Sequence, residues 1–529
     1  MKNKILSTLF YKKPKHKKQT TKLFTDNDKF LPLKVQYYPI KDNEILTVVL
    51  NERQALWFWI TTADKITIIK SNWEKLTTNV VVSSKVPTWH LWVYENVIEK
   101  FPLEKWEVVG IIIAQSSSAA NDAIRKKMKW ENITYDEMYA IIKDISEWKL
   151  SEVMMTYYVA SSFFYPTTDD EMYQTAKAMA ECWVMFKYPK WEIIADKHCI
   201  GWVPWNETTM IMIPILASLW IKMPKNFSKA ITSPAATWEC VNVLMDINFD
   251  KNWIEKLIKE NNCCLVRWWW LDLAPADDKL IKVQYPLAMQ SRAKVVSSIM
   301  AKKYAMWVTH SLIDIPVWQT AKVTTMEEAL DWKQKFEYVW KRLWMKMTVQ
   351  ITPANEVIWN WVWAILQVRE VLRVLQQHPK RPLDLETKAV FLASKIIEIV
   401  WLAKGKKAEN LARKQLESWA ARKMMQKIIK AQNWRNPNIN SEDLQPWIFS
   451  KEVLAEADGK VKKVDLHNVN HIARRLWCPA IDEAGIYFSK KLWDKVKKWD
   501  VLFTMYSTSE TKINLASQQN IDNPAIIIW

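Results

Sequence analysis

The balance between tryptophan and glycine is the feature that most constrains what this chain can fold into. Its 529 residues include 34 Trp but only 5 Gly. Glycine is the default residue where the backbone turns with positive φ or leaves a helix, and a long chain needs many such positions. Trp and Gly together make up about 7% of the residues, the usual share of glycine alone. We therefore hypothesise that most Trp letters stand where the organism inserts Gly. This happens when UGA, read as Trp in one variant code and as Gly in another, is translated with the wrong table.

Bulk composition is typical of a soluble multidomain protein. Charged residues make up 25% of the chain and hydrophobic residues 49%, which excludes general disorder. The six cysteines form no C-x-x-C pair and no Cys/His set with zinc spacing, so we expect reduced cysteines and no metal site. The apolar run 5–10 is too short for a signal peptide, and the longest apolar stretch, 210–223, is too short for a membrane span. We expect a cytoplasmic protein with no membrane contact.

Positive charge is concentrated at the N-terminus. The net charge is +18, and eight lysines precede the first acidic residue, Asp26. We predict a disordered basic tail over residues 1–29, with weak contact to RNA or an anionic surface as the alternative. We expect no specific nucleic-acid partner.

Hydrophobic patterning predicts an α/β multidomain fold. Short β-branched runs indicate a β-rich module over 30–102, and apolar residues at three- and four-residue spacing indicate a helical domain over 103–185. Apolar strands alternate with helices over 186–432, which favours an α/β domain with helices packed on a sheet. Short strands and turns over 433–529 predict a C-terminal α+β domain.

The segment 196–209 lies between an apolar strand and an apolar helix and carries the clearest chemical signal. If Trp202 and Trp205 are Gly, it is D-K-H-C-I-G-G-V-P-G-N-E-T-T. Such a glycine-rich turn lets backbone N–H groups approach an anion at the start of the helix, and Lys197 adds a positive charge. The alternative is an ordinary surface loop.

Two further segments carry polar groups that suit phosphate binding. Residues 228–237 are dense in Ser and Thr hydroxyls, which bind phosphate oxygens or, alternatively, serve as caps and turns. The segment 271–278, L-D-L-A-P-A-D-D, is followed by S-I-M-A-K-K, in which Ser298 and Lys302 are one helical turn apart. The alternative for these two residues is a structural pair on a surface helix.

The order of these motifs resembles the thymidine phosphorylase superfamily and, within it, the AMP phosphorylases. D-K-H-x-I-G, S-x-A-I-T-S-P-A-x-T, L-A-P-A-D-D, Y-P-L, S-I-M-A-K-K and D-I-P-V follow one another over roughly residues 33–520. Several Trp letters fall where this family has Gly, which supports the recoding hypothesis independently of composition. These are Trp318, Trp359, Trp361, Trp363, Trp493 and Trp499.

This resemblance implies an enzyme that splits AMP with inorganic phosphate into free base and ribose 1,5-bisphosphate, in nucleotide degradation. CMP and UMP are further candidate substrates. The family implies no metal or organic cofactor and a homo-oligomer, either a dimer or a larger assembly. It also implies that the helical domain faces a larger α/β domain and receives a later contribution from about 277–305. One alternative keeps the fold and acts on thymidine or uridine. A more remote alternative is a basic nucleic-acid-binding protein that stacks real Trp side chains on bases.

The resemblance also assigns roles to individual residues. Catalytic roles fall on Gln290, Lys322 and His198. Nucleotide- or phosphate-binding roles fall on Lys197, Trp202, Ser228, Lys229, Ala230, Ile231, Thr232, Ser233, Thr237, Ser298, Lys302 and Lys322.

Three residues depart from the family pattern. Gln290 stands where the family has its proton-donating Asp, and an amide donates a hydrogen bond but delivers no proton at pH 7. Either Gln290 only orients the base, or Lys322 or a water protonates it, or another acid such as Asp278 substitutes. Cys199 replaces the Ser that usually follows the His, and Glu207 stands where Lys is frequent.

Overall fold

The protein is described here from a computed structural model, which divides the chain into two compact units. One consists of Met1–Asn121 with Glu147–Ser151, and the other of Asp122–Ser146 with Glu152–Trp529. The predicted basic tail over 1–29 lies outside the described residues. The structure describes residues 30–41, 46–62, 64–114, 116–164, 167–182, 184–201, 207–227, 237–267, 275–284, 291–319, 321–354, 361–362, 364–433, 436–444, 449–478, 481 and 484–529.

The first unit contains a closed six-stranded barrel. The strand order is β1-β5-β2-β4-β3-β6, and β6 closes the barrel by pairing with β1. Along β1, Leu31, Leu33 and Val35 are buried while the residues between them are exposed, as expected for a strand with one face on the core. The elements are β1 (Leu31–Tyr38), β2 (Thr47–Asn51), α1 (Glu52–Trp57), β3 (Lys65–Ile69), β4 (Lys75–Ser83), β5 (His90–Tyr94), α2 (Glu95–Lys100) and β6 (Val108–Ala114).

The sequence placed the end of this module at residue 102, and that boundary is wrong. The strand β6 completes the barrel with the β-branched run V-V-G-I-I-I-A, which the prediction had assigned to the helical domain.

After the barrel come helices, and then an alternation of strands and helices. The elements are α3 (Ser118–Met128), α4 (Tyr135–Ser146), α5 (Glu152–Phe164), α6 (Asp169–Glu181), β7 (Ala195–Cys199), α7 (Thr208–Ser218), β8 (Met223–Phe227), α8 (Thr237–Leu244), α9 (Lys251–Asn261), β9 (Cys263–Arg267), α10 (Pro275–Gln284), α11 (Arg292–Ala305), β10 (His310–Val317), α12 (Met326–Arg342), β11 (Lys346–Pro353), β12 (Trp361–Val362), α13 (Ala364–Leu375), α14 (Leu383–Ile399), α15 (Lys406–Glu417) and α16 (Ala420–Ala431).

Parallel strands form the centre of the second unit. Strands β11, β10 and β7 pair in parallel, as do β8 and β9, and a parallel bridge between Ile194 and Lys222 joins the two groups. Along β10, Leu312 packs into one hydrophobic cluster and Ile313 into another, so helices cover both faces of the sheet. The apolar segment 210–218 lies in helix α7, in which every residue from Thr208 to Ala217 is buried.

Helices α10 and α11, which cover the segment 277–305, pack back on the earlier helices. Lys279 Nζ donates to the carbonyl oxygen of Ile145 at 2.6 Å, and Ser297 Oγ donates to the carbonyl oxygen of Met172 at 2.9 Å. The chain therefore passes through the sheet region and returns to the helices before it completes the sheet with β10 and β11.

The C-terminal part combines two antiparallel sheets with two helices. The strand orders are β12-β15-β17-β13 and β16-β14-β18. Gly459 is required here, because a Cβ at this position would lie 2.4 Å from the carbonyl oxygen of Trp529. The elements are β13 (Phe449–Leu454), β14 (Gly459–Val464), α17 (Leu466–Arg475), β15 (Gly485–Phe488), β16 (Lys495–Val496), β17 (Val501–Ser507), α18 (Glu510–Asp522) and β18 (Ile526–Ile528), with a short 3₁₀ helix at Ser441–Asp443 before them.

Positive φ is concentrated at tryptophan positions. Among the described residues, seventeen that are not glycine have positive φ, and fourteen of these are Trp. Positive φ brings the Cβ of an L-residue against the following carbonyl, so bulky residues rarely adopt it. These positions therefore have the backbone of glycine. They are Trp59, Trp73, Trp89, Trp106, Trp130, Trp148, Trp220, Trp307, Trp344, Trp401, Trp419, Trp477, Trp493 and Trp499.

Several of these tryptophans end helices where glycine normally does. After α12, Trp344 has a φ of 58°, and Met345 N donates to the carbonyl oxygen of Trp340 at 3.2 Å. After α14, Trp401 has a φ of 59°, and Leu402 N donates to the carbonyl oxygen of Ile397 at 3.1 Å. This pairing defines the Schellman motif, whose left-handed residue is usually Gly. The backbone thus supports the recoding hypothesis independently of composition and of family resemblance.

None of the helices in the described part of the chain is both long enough and apolar enough to cross a membrane.

Candidate functional site

Strand β7 presents three consecutive candidate residues near its carboxyl end. Lys197 is buried, with 2% of its surface exposed, and its Nζ donates to Thr208 Oγ1 at 3.1 Å. Because Thr208 is the first residue of α7, this bond ties the end of the strand to the start of the helix. The predicted glycine-rich turn connects the same two elements. Ligands bind at this edge of parallel sheets, so the position suits an anion site.

His198 lies in a strongly basic environment. Burial lowers the pKa of its imidazole well below the usual value, and the charges of Lys303, Lys225, Lys302 and Lys197 lower it further. The imidazole is therefore neutral at pH 7, with one nitrogen that donates a hydrogen bond and one that accepts. Lys303, which follows Lys302 on α11, forms an ion pair with Asp196 on β7, so this part of α11 lies beside the strand.

A second group of candidates lies on helices α10 and α11. Ser298 Oγ donates to Asp277 Oδ2 at 2.6 Å, and Lys302 Nζ forms an ion pair with the same oxygen at 2.9 Å. The sequence predicted that Ser298 and Lys302 share a helix face, and the structure agrees. It adds Asp277, a buried carboxylate that holds both side chains in place. The side chain of the neighbouring Asp278 lies outside what the structure describes.

Glu207 and Thr237 meet where α7 and α8 begin. The Thr237 hydroxyl donates to the Glu207 carboxylate, and burial raises the pKa of this carboxyl to about 7. The second oxygen of Glu207 is buried and has no hydrogen-bond partner among the described residues. An unpartnered buried carboxylate is costly, so Glu207 retains a proton at near-neutral pH.

Lys322 and Cys199 complete the described set. Burial lowers the pKa of Lys322 to about 8, and the Cys199 thiol is close enough to act on it electrostatically. Burial, followed by the charge of Asp314, raises the pKa of the Cys199 thiol. Cys199 is therefore a neutral thiol and a weak donor, as expected when Cys replaces Ser.

An ion pair between Asp196 and Lys303 brings the strand that carries Lys197 and His198 next to the helix that carries Ser298 and Lys302. Several other candidates lie outside the described residues. Those outside are Trp202, Ser228, Lys229, Ala230, Ile231, Thr232, Ser233 and Gln290.

Sequence reasoning missed the buried charges that surround these candidates. Asp196 pairs with Lys225 and Lys303, and Asp314 accepts a hydrogen bond from Thr352 Oγ1 at 2.7 Å. The sequence does contain a signal for these buried charges, namely a charged residue inside an otherwise apolar strand, such as Lys225 in M-P-K-N-F and Asp314 in L-I-D-I-P. Such a residue is seldom buried unless it is paired.

Taken together, the site can bind anions. Buried lysines provide positive charge, and serine and threonine hydroxyls provide neutral donors. Within the described residues, no group of three or more His, Cys, Asp or Glu side chains is placed to hold a metal ion.

Curated proteins similar to this chain are phosphorylases. An AMP phosphorylase from Thermofilum pendens is 31% identical over 498 residues, which cover 94% of this chain and 95% of that protein. A thymidine phosphorylase homologue from Bradyrhizobium sp. (strain ORS 278) is 33% identical over 396 residues, or 75% of this chain and 76% of that protein. Another from Bradyrhizobium diazoefficiens is 34% identical over 414 residues, covering 78% of this chain and 79% of that protein.

No family model matches the chain. Among solved structures, anthranilate phosphoribosyltransferase from Thermus thermophilus is 13% identical with a TM-score of 0.49, covering 59% of this chain and 99% of that protein.

Proposed function

The chain belongs to the thymidine phosphorylase superfamily, in which it matches an AMP phosphorylase over nearly its whole length, and from this premise we propose that it catalyses the phosphorolysis of AMP. Inorganic phosphate attacks C1′ of the ribose, the bond from C1′ to the base breaks, and free base and ribose 1,5-bisphosphate leave. The observation that carries the proposal is the coverage of that match, 94% of this chain against 75% and 78% for the two thymidine phosphorylase homologues.

The chemistry of this reaction fits the charges of the site. The transition state has cationic character at the sugar, so phosphate must be held in line with C1′. The substrate 5′-phosphate and the attacking phosphate are both anions and must share one cleft. Lys197 and Lys302 supply positive charge from two different elements, and the hydroxyls of Thr208 and Thr237 lie at two helix starts. Helix starts favour anions, which supports phosphate binding here.

We assign phosphate binding to Lys197 and Thr208, with the turn between β7 and α7. We assign Ser298 and Lys302, which are both held by Asp277, to the nucleoside part of the substrate. His198 then acts as a neutral hydrogen-bonding group, because burial and four lysines oppose its protonation.

The departing base needs a proton, and we assign its delivery to Lys322. Gln290 has no ionisable proton, and it replaces the family's Asp. A lysine whose pKa is lowered to about 8 exchanges its proton near neutral pH, as a general acid must. In this assignment, Gln290 orients the base through its amide.

The test compares AMP with uridine as substrates, at equal concentration and with saturating phosphate. The protein should be produced with Gly at the fourteen positive-φ positions. The same change is needed at Trp202 and Trp205 in the predicted phosphate turn, and at Trp318, Trp359, Trp361 and Trp363. We expect phosphate-dependent release of adenine from AMP, at least tenfold faster than release of uracil from uridine. Release from uridine alone would support a pyrimidine nucleoside phosphorylase instead. CMP and UMP belong in the same assay, since base preference is part of the proposal.

Three further points belong to this proposal. The reaction needs inorganic phosphate as co-substrate and no metal or organic cofactor, so activity should survive treatment with a chelator. None of the six cysteines, all of which lie within the described residues, forms a disulfide, which supports a reducing cytoplasmic location. The family resemblance favours a homo-oligomer, which light scattering coupled to size-exclusion chromatography would test.

A further inference from the structure

A buried carboxylate on β7 pairs with lysines from two other elements. Asp196 lies directly before Lys197 and is 1% exposed. Lys225 on β8 approaches Asp196 Oδ1 at 3.3 Å, and Lys303 on α11 forms an ion pair with Asp196 Oδ2. Both lysines are also buried. We call Asp196, Lys225 and Lys303 the buried charge triad.

Each member of the triad is directly linked to a candidate site residue. Lys303 follows Lys302 in the chain. Lys225 Nζ also donates to the carbonyl oxygen of Lys197 at 2.6 Å, so it holds the backbone that carries that side chain. The triad thus connects the strand that presents Lys197 with the helix that presents Lys302.

Stability alone does not account for this arrangement. Burying three charged groups has a large desolvation cost, and hydrophobic replacements for such networks are often as stable or more stable. Two lysines share one carboxylate, so the triad carries a net positive charge if both are protonated. Burial opposes this and lowers the pKa of Lys225 to about 7. Catalysis, in contrast, requires reacting groups to be held to within a fraction of an ångström, and fixed ion pairs provide such precision.

We propose that Asp196 is a positioning residue for phosphorolysis. By pairing with Lys225 and Lys303, it fixes Lys197 and His198 on β7 relative to Ser298 and Lys302 on α11. This inference rests on the function proposed above, because it assumes that both groups act on one substrate.

Asp196→Asn and Lys303→Met test the proposal. We expect each to reduce kcat at least 30-fold, with less than a threefold change in the KM for AMP, because the groups would still be present but misplaced. The double variant should lose little more than either single variant, since both changes break the same ion pair. Lys303→Arg keeps the charge and should restore at least part of the lost kcat.

Lys127→Met is the matched control. Lys127 also forms a buried ion pair, with Glu171 at 2.5 Å, but it joins α3 to α6 and none of the candidate residues lies next to it in the chain. Thermal unfolding of all variants shows how much stability each one loses. If Lys127→Met lowers kcat as much as Asp196→Asn at comparable stability, the positioning role is wrong.

A direct binding measurement separates failure of this inference from failure of the proposed function. If the unsubstituted protein releases no base from AMP, the proposed function is wrong. In that case, the role of the buried charge triad is tested by measuring the affinity for inorganic phosphate by calorimetry, in the unsubstituted protein and in the variants. Binding that is at least tenfold weaker in Asp196→Asn than in Lys127→Met supports the triad as a positioning group for the anion site. Equal binding in these variants, or no binding by the unsubstituted protein, overturns it.

Discussion

Replacing Trp344 with Gly should stabilise the protein, although Trp is the larger and more hydrophobic residue. Trp344 follows α12 with a φ of 58°, and 95% of its surface is exposed, so almost no buried area is lost. Removing the Cβ relieves a backbone cost of about 1–2 kcal/mol. Gly also makes the unfolded chain more flexible, which offsets up to about 1 kcal/mol of this gain. The expected net stabilisation is about 1 kcal/mol.

Trp332→Gly is the matched control, since it makes the same chemical change in the middle of α12. Trp332 has helical backbone, is 2% exposed and packs on Phe336 with ring centroids 6.2 Å apart. Removing its side chain should cost about 3–5 kcal/mol of core packing, and glycine in a helix interior costs about 1 kcal/mol more. The two substitutions should therefore shift stability in opposite directions.

Urea unfolding of the chain as written and of the two variants provides the measurement. Mass spectrometry of the natural protein provides a second one, through the tryptic peptide 343–346. We expect the mass of glycine at position 344. Destabilisation by Trp344→Gly, or an indole mass in that peptide, would refute the backbone reasoning. Summed over the fourteen positions, the relieved strain is on the order of 10 kcal/mol, comparable to the entire stability of a typical domain.

Three further predictions concern ionisable groups. The unsubstituted protein should lose about 3 kcal/mol of stability as the pH rises from 4.5 to 7, because Glu207 keeps its proton in the native state and releases it in the unfolded state. Glu207→Gln should abolish this loss. Equal pH dependence of urea unfolding in both proteins would contradict this. Lys294→Met should stabilise the protein at pH 7 by about 4–5 kcal/mol and flatten the rise in stability from pH 7 to 10.5, because burial lowers the pKa of Lys294 to about 7. A fall in its unfolding midpoint at pH 7 would argue against it. Asp277→Asn should lower kcat/KM for AMP by about tenfold to a hundredfold, since Ser298 and Lys302 lose a charged partner; an unchanged kcat/KM would count against that role.

The parts of the fold that could be predicted from the sequence are those with local signals. The strand that carries Lys197 and the helix that begins with Thr208 follow from the two apolar runs on either side of the predicted glycine-rich turn. The shared face of Ser298 and Lys302 follows from helical spacing alone. In both cases, a few adjacent residues contain the whole pattern.

The missed parts depend on contacts between distant segments. Strand β6 was assigned to the wrong domain because its β-branched run shows a strand but not which sheet it joins. The partners of Asp196 come from β8 and α11, and nothing in the local sequence links them. Periodicity also does not indicate the role of Asp277. This residue holds Ser298, and α11, which carries Ser298, reaches it only through tertiary packing.

The Schellman motifs that end in Trp also bear on how this gene can move between organisms. Under the recoding hypothesis, every one of these helix ends depends on the meaning of a single codon. A cell with the standard code would stop translation at the first of them, and a cell that inserts Trp would complete a chain that folds poorly. A new host would therefore gain an active product only after many codons had been rewritten, because it would either end the chain early or insert indoles where the backbone needs glycine.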